Sequence, residues 1–432
     1  MQHENGKIIF NIEELFFLFC LHRNDLNEKR INKLINIIKK VNVSVLFSFL
    51  MSVCFGQNEI YRFSNTIEND SSIGYQVKSW ELSRKGSYSN ALTVWDKGRR
   101  GSNYELSKED SLNFLNYTPV NAVEFILSKA DSFQVIMINE AHHNSLHRNF
   151  TKKLLIGLYK KGFRYFGLEA LNQVDTLINE RKYPLVSSGY YTKESEFGNL
   201  LREALKVGYH LFGYECSPKA SGNGKQREIE QAENVMKILE RDKSAKILIH
   251  AGFDHIREDE NFGTWEKAMA GRFKEFTGID PLTIDQVLMS ERSLVEFENS
   301  FYKLAAVKEP TVFINEDGEA FIDKNIKKKF DLQVFHQKTK YIHSRPDWLF
   351  KSNKHSYNLS LEQTNLILPC LVFAYNKQEF NNEKVDDLIP VDIVEIHQSN
   401  ITDCSLILEA GYYFLIFKDI NSRTFMKEIE IK

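Results

Sequence analysis

The chain has 432 residues, 42% hydrophobic and 26% charged, which is the balance of a water-soluble folded protein and too long for one compact core, so two domains are expected. Lys+Arg 56 against Asp+Glu 58 leaves a formal net charge of -2, which argues against a nucleic-acid partner or an anionic membrane surface. Gly 21 and Pro 8 exclude a collagenous or disordered bulk, while Phe 32 and Tyr 18 supply ring surface for a core and an aromatic pocket.

Val43–Phe55 (VSVLFSFLMSVCF) is an apolar run interrupted only by serines, preceded by Lys39 and Lys40 and followed by Gly56-Gln57. It is shorter than the roughly 20 residues that span a bilayer. A basic flank, a short apolar stretch and small residues at its end form a secretory signal pattern, so cleavage is expected near Gly56-Gln57, with export to the periplasm or beyond and no transmembrane segment in the mature chain. Val53 before Cys54 is a poor lipoprotein signal. Residues 1–30 sit awkwardly ahead of such a signal, so residues 1–56 read as a signal peptide with an over-extended start. Of the five cysteines, Cys216, Cys370 and Cys404 would remain after cleavage, with no C-x-x-C pair and no disulfide framework. Cys216 is expected in the core.

From Gln57 to Asp131 the segment is polar, with Trp80 and Trp95, and reads as loosely packed helices closing on Asn121–Ala130, where Val123, Ile126 and Leu127 share one face. Short apolar runs then alternate with helical periodicity, the signature of β-α units and a mostly parallel sheet flanked by helices. The expected strands are Val135–Ile138, Tyr165–Leu168, Tyr209–Tyr214 and Lys246–Ile249, with a short one at Pro281–Ile284. Expected helices carry Leu146, Phe150, Leu154 and Leu158; Phe197–Lys206; Ile229, Ala232, Met236 and Leu239; and Trp265, Met269 and Phe273. Val287–Val307 reads as helical and closes the α/β block, giving a domain over 57–309. Beyond Pro310 a smaller antiparallel β domain is expected over 310–432, with one hairpin turn at Asp317-Gly318 and another at Glu409–Gly411, joining Leu406–Leu408 to Tyr412–Phe417.

The chemistry gathers at strand ends. The first strand ends at Asn139-Glu140-Ala141-His142-His143, the second at Glu169, the third at Glu215 and the fourth at His250, with His255 five residues on. Ligands of open α/β sheets bind in the crevice beyond the carboxyl ends of the strands, so four strands nominate one site. Each group alone has a plainer reading: Glu140 or Glu169 as a helix cap, His143 and His147 on a solvated first turn, His250 as a hydrogen-bonded core residue. Together, carboxylates beside imidazoles are what general-base catalysis requires, and also what a metal site requires. Arg227 opens the third helix, where it either stabilises an oxyanion or is a solvated helix residue. Gly222-Asn223-Gly224-Lys225 lacks the spacing and Ser/Thr of a phosphate loop, and no G-x-S-x-G elbow is present, so water is the expected attacker.

These residues resemble the erythromycin esterase and ChaN-like superfamily, which includes the Tiki and TraB-type proteins. The matches are I-N-E-A-H-H-N-S-L-H (Ile138–His147) for a G-E-x-H or G-E-x-x-H strand end, G-L-E (Gly167–Glu169), R-E-I-E-Q-A-E-N (Arg227–Asn234) and H-A-G-F-D-H (His250–His255). Asn139 stands where that family has glycine, and either His142 or His143 matches its histidine, His142 by the G-E-x-H spacing. The resemblance implies an α/β fold with a parallel sheet, and one of three activities: metal-free ester hydrolysis, haem binding, or metal-dependent peptide cleavage.

The leading expectation is an exported hydrolase that acts on a small-molecule or peptide substrate and needs no cofactor. His142 activates water against an ester or lactone, Glu140 and Glu169 tune it, and His255 or Arg227 stabilises the oxyanion; His143, His147, Glu215 and His250 are alternates. The other readings are a haem or iron-binding protein, and a metallopeptidase whose divalent ion is held by Glu140, His142 and His255.

Overall fold

The computed structural model describes residues 60–99, 105–350 and 354–432, with the backbone of His3–Glu4 and Lys7–Ile8. The chain divides into two units, Met1–Ile60 and Tyr61–Lys432. In the first, His3–Glu4 pairs antiparallel with Lys7–Ile8. The run Val43–Phe55, Cys20, Cys54 and the junction Gly56-Gln57 lie outside the described residues.

The second unit opens with helices α1 (Ser64–Asn69), α2 (Tyr75–Arg84), α3 (Tyr88–Gly98) and α4 (Lys108–Leu115). They are not loosely packed. Ile67, Leu82, Ala91 and Val94 bury one another, and Lys85 is buried in an ion pair with Glu395 of the C-terminal sheet. The α2–α3 turn needs Gly86, whose φ is +81° and whose Cβ would lie 2.2 Å from the carbonyl oxygen of Ile393.

Strand β1 (Thr118–Asn121) and helix α5 (Ala122–Lys129) lead into β2 (Val135–Glu140), then α6 (Leu146–Lys160), β3 (Phe163–Leu168), α7 (Ser195–Val207), β4 (His210–Gly213), α8 (Gly224–Arg241), β5 (Lys246–Gly252), α9 (Met269–Thr277) and β6 (Leu282–Asp285). Further on come α10 (Ser300–Ala305), β7 (Thr311–Ile314) and β8 (Leu332–Gln333). Among the described residues six strands form one sheet in the order β8-β6-β2-β5-β3-β4, every neighbouring pair parallel.

Helices cover both faces, and strand alternation explains which. Ile136 and Ile138 of β2 pack with α5, α6 and α7, while Val135 and Met137 pack with α8 and α9. Central strands buried on both sides are apolar throughout, which is why Val135–Ile138 reads as a continuous run. Glu194 caps α7 by accepting from the Phe197 N–H, and Asn223 caps α8 by accepting from that of Gln226.

Further sequence expectations change here. Trp265 precedes the fourth helix, in a turn at Gly263–Trp265. Val287–Val307 is helical only at Ser300–Ala305, apart from a single turn at Val295–Phe297. Residues 286–293 are instead held by other parts of the chain: Gln286 by Asn139, Ser290 by His147, and Arg292 and Ser293 by Asp96. The boundary at 310 cuts through the α/β part, since β7 pairs with β1 and β8 extends the parallel sheet. The turn at Asp317-Gly318 forms, closed by Asn315 and Glu319, but its return arm holds only an isolated bridge, Ile314 to Ala320, and Thr311 of β7 bridges Phe335 instead.

The C-terminal part is antiparallel. It comprises β9 (Lys354–Asn358), β10 (Cys370–Asn376), β11 (Asp392–Ile396), β12 (Ser405–Glu409), β13 (Gly411–Asp419) and β14 (Thr424–Ile431). One sheet runs β11-β10-β13-β14, and β9 pairs with β12. A further correction falls here: β12 and β13 do not form a hairpin. The chain changes sheet at Ala410, so that Leu406 and Leu408 of the β9–β12 ribbon pack against Val372, Leu415 and Phe417 of the larger sheet.

Candidate functional site

At the carboxyl edge of the sheet, the face a residue occupies decides its partner. Glu140 ends β2 on the face of Ile136 and Ile138, and there it meets Arg148 of α6. Arg148 is fully buried and donates to Glu140 from Nε at 2.7 Å and Nη2 at 2.8 Å, to Glu194 from Nη1 at 2.9 Å, and to the His142 carbonyl at 2.9 Å. His142 Nδ1 lies 2.8 Å from Glu140 Oε1 and His250 Nε2 2.9 Å from Oε2. A carboxylate only accepts, so those ring nitrogens carry the protons. Burial by itself would raise the Glu140 pKa, but Arg148, His250 and His142 hold it well below the usual carboxylate range.

Glu169, one residue beyond β3, lies on the other face and meets Arg227 of α8. Arg227 donates from Nη2 to Glu169 at 2.7 Å and to Glu215 at 2.7 Å, and from Nε to Glu215 at 3.0 Å. The other Glu169 oxygen accepts the Gly252 N–H. Burial opposes ionisation of Glu169, yet His255, His142 and Arg227 keep its pKa at about 2. His255 Nδ1 donates to Glu228 at 2.9 Å, and its Nε2 lies 3.1 Å from Arg227 Nη1 and 3.5 Å from Glu169. Burial lowers the His255 pKa, but Glu169 and Glu228 outweigh that and raise it overall. The Arg227 contact is a hydrogen bond only while the ring is neutral; once protonated, Nε2–H turns to Glu169.

His142 stands between these two clusters. Its Nε2 lies 2.5 Å, and a Glu169 oxygen 3.0 Å, from the point a Cβ on Gly252 would occupy. The ring stacks on Tyr191 at 3.8 Å between centroids and meets Phe253 edge-on at 5.2 Å. Among the described residues Nε2 has no hydrogen-bond partner. Above it lies a cavity of about 70 Å³ walled by Trp80 and Trp95 from α2 and α3, Tyr190 and Tyr191 from the loop after β3, His143 and Phe253. A larger surface depression of about 460 Å³, lined by Glu258, Lys274, Lys328 and Asp331 among others, touches none of the site residues.

Phe253 has φ +43°, a strained conformation for a bulky residue. Its N–H donates to the Glu140 carbonyl at 2.7 Å, and its carbonyl accepts from Asn139 at 3.0 Å. Asn139 also donates to Asp285 at 2.9 Å. Asn139 therefore pins the residue that walls the cavity.

Glu140, His142, Glu169, Arg227, Glu215 and His255 thus converge on one edge. His143 is not on a solvated turn: it is 5% exposed and stacked on Trp95, and burial drives its pKa well down. His147 is interior, accepting from the Ala141 N–H at 2.9 Å and contacting Ser290 at 2.9 Å. His250 is buried on Glu140. Cys216 is half-buried beside Glu215 rather than in the core, because it lies in the loop beyond β4; burial and that carboxylate push its thiol up to about 11, unsuited to nucleophilic attack.

Sequence reasoning missed Arg148, Glu194, Glu228 and Tyr191 as members of the site. Arg148 had a signal, since it stands seven residues before Leu155, on the apolar stripe of α6 where a charge is out of place. Tyr191 had none, because its loop is placed by tertiary contacts.

No group of three His, Cys, Asp or Glu among the described residues has the geometry to hold a metal ion. The guanidinium of Arg148 lies against both Glu140 oxygens, where a cation would sit, so Glu140, His142 and His255 do not fit a divalent ion.

Fold and site together define an α/β protein with two carboxylate–histidine clusters, around Glu140 and around His255, at the carboxyl edge of a parallel sheet. No family model matches the chain, and no curated protein does. Solved structures give distant likenesses. A type III effector, HopBA1, is 11% identical over 52% of this chain and 97% of its own, with a TM-score of 0.33. A Bacillus cereus protein is 11% identical over 58% and 97%, TM-score 0.32. RRSP, a MARTX toxin effector domain from Vibrio vulnificus, is 13% identical over 49% of this chain and 40% of that chain, TM-score 0.27. Likeness at this level carries no function across.

Proposed function

We propose that the protein is an exported hydrolase of the erythromycin esterase-like type, in which His142 activates water against an ester, lactone or related bond. One observation carries this reading: Glu140 holds Nδ1–H of His142 while Nε2, without a protein partner, is left beside an aromatic cavity. A carboxylate on Nδ1 fixes the tautomer and stabilises the imidazolium formed when Nε2 takes a proton from water. Arg148 keeps Glu140 ionised and its position fixed. Arg227 donates three of its five N–H groups to Glu169 and Glu215, and with His255 protonated both Nη1–H groups are left for the oxyanion that develops as water attacks. His255, between Glu169 and Glu228, is placed to return a proton to the leaving group. The four quoted motifs support the family assignment.

The test is hydrolysis of a panel of esters, lactones and peptides by the purified protein with and without chelator. Turnover that survives the chelator and is lost in His142→Ala is the expected result. No turnover of any substrate overturns the reading, and so does turnover abolished by the chelator. Export belongs to the same proposal and is tested by sequencing the N-terminus of the native protein; residues 1–56 intact overturns it.

A further inference from the structure

We infer that Trp265 is a positioning residue for His255: its indole face holds the imidazole, in its protonated form, between Glu169 and Glu228. The use of that proton against a leaving group rests on the hydrolase reading; the positioning does not.

A bent piece of chain delivers the ring. Trp265 lies in a short hairpin in which Glu260–Phe262 pairs with Glu266–Lys267. Three residues of that hairpin have positive φ: Asn261 at +64°, Gly263 at +53° and Glu266 at +61°. Glu266, with ψ −51°, falls near the rare and strained γ-turn conformation. The bend is anchored from α9, where Arg272 donates to the carbonyl of Trp265 at 2.8 Å and to that of Lys267 at 3.0 Å. Phe262 meets Trp265 edge-on at 5.1 Å and carries the Arg257 guanidinium 3.7 Å from its centroid.

So held, the indole stacks on His255 with centroids 4.8 Å apart and planes 19° from parallel. Gly224, the first residue of α8, admits it, since a Cβ there would lie 2.4 Å from Trp265 Cδ1. Trp265 belongs to neither apolar cluster that covers the sheet. Backbone strain kept for a ring that fills neither core points to the contact the ring makes.

The charges around His255 favour its protonated form. Glu169, beyond β3, lies 3.5 Å from Nε2. From α8 come Glu228, 2.9 Å from Nδ1, and Arg227, whose Nη1 lies 3.1 Å from Nε2 and whose Nη2 also bonds Glu215. From α9 come N–H groups, Met269 donating to Glu228 and Ala270 to the His255 carbonyl. Lys225 and Glu266 pair with each other at 2.7 Å beside the hairpin. Glu169, Glu215 and Glu228 thus stand against one guanidinium, which makes the imidazolium the second cation. A cation within about 6 Å of an indole centroid is attracted by the ring face. Stacked on one face and bonded at Nδ1, the imidazole keeps Nε2 toward Glu169.

The test is an NMR titration of the histidines in the intact protein, with His255 assigned by its loss in His255→Gln. Trp265→Leu, apolar but without a ring face, is expected to weaken proton binding by His255 about threefold, and Trp265→Phe to leave it within about 1.5-fold of the parent. Gly224→Ala, whose methyl group displaces the indole, should act like the leucine variant and stands in for it if that variant does not fold. In turnover, Trp265→Leu should lose about tenfold in kcat with KM little changed, and its alkaline limb should move to lower pH with the His255 titration; phenylalanine should restore both. An unchanged or tighter proton affinity in Trp265→Leu, or in Gly224→Ala where it stands in, overturns the inference, since the indole then only fills space or excludes water. So does an equal loss in the leucine and phenylalanine variants. Titration needs no turnover, so a His255 that responds as expected in a protein that hydrolyses nothing sinks the hydrolase reading and leaves the positioning.

Discussion

The imidazole of His142 lies so close to Gly252 that a Cβ on that residue would stand 2.3 Å from His142 Cε1. Glycine here reflects the neighbour rather than the backbone, since Gly252 is not among the glycines with positive φ. Gly252→Ala should therefore displace the ring, reducing turnover on the order of 10²-fold while costing about 1–3 kcal/mol of stability. Rates and urea midpoints of the two proteins check this; unchanged turnover would mean that the ring's position is not needed.

The adjacent histidines should separate cleanly. If His142 is the base proposed above, His142→Ala is expected to cost about 10²–10⁴ in rate with little change in stability. His143→Ala removes a buried, Trp95-stacked ring and is expected to lower the melting temperature and raise KM. The reverse pattern would assign the base to His143.

Arg148 should be the most sensitive charge in the site. Arg148→Met leaves Glu140 and Glu194 buried without their cation and is expected to cost about 3–5 kcal/mol. Adding Glu140→Gln should recover part of that loss but no activity. A single variant as stable as the parent would contradict the buried clamp.

Two pH limbs are expected. Glu169 has its pKa lowered from 4.5 to about 2, so its contribution to stability is full above about pH 4.5 and is lost as pH falls toward 2. His255, raised from 6.5, contributes below that value and loses its contribution as pH rises through the folded pKa. Glu169→Gln should flatten the acid limb in urea titrations between about pH 5 and 2 and weaken the alkaline one, because His255 loses a carboxylate. Acid limbs of equal slope in parent and variant would show that Glu169 is not the titrating group.

Much of the fold was legible locally. Val135–Ile138 and Lys246–Ile249 read as buried parallel strands because both faces of each are covered, and the apolar stripe of α6 marks its buried side. Local pattern misled where long-range contacts take over: Val287–Val307 has helical periodicity, yet Ser290 contacts His147, and Arg292 and Ser293 bond Asp96. The turn at Glu409–Gly411 looks like a hairpin, but neighbouring sheets claim its two arms.

The sequence by itself determined that ionisable groups end successive strands, because parallel β-α order delivers every strand's carboxyl end to one edge. It could not decide which histidine of the His142-His143 pair meets a carboxylate. That depends on the turn after β2, which sends His142 to Glu140 and His143 beneath Trp95. Nor could it supply the aromatic walls, whose residues lie about a hundred positions apart and meet only because α2, α3 and the loop before α7 fold over the same edge. Strand ends follow from chain order, whereas the partner each side chain finds is set by packing between segments that share no local signal.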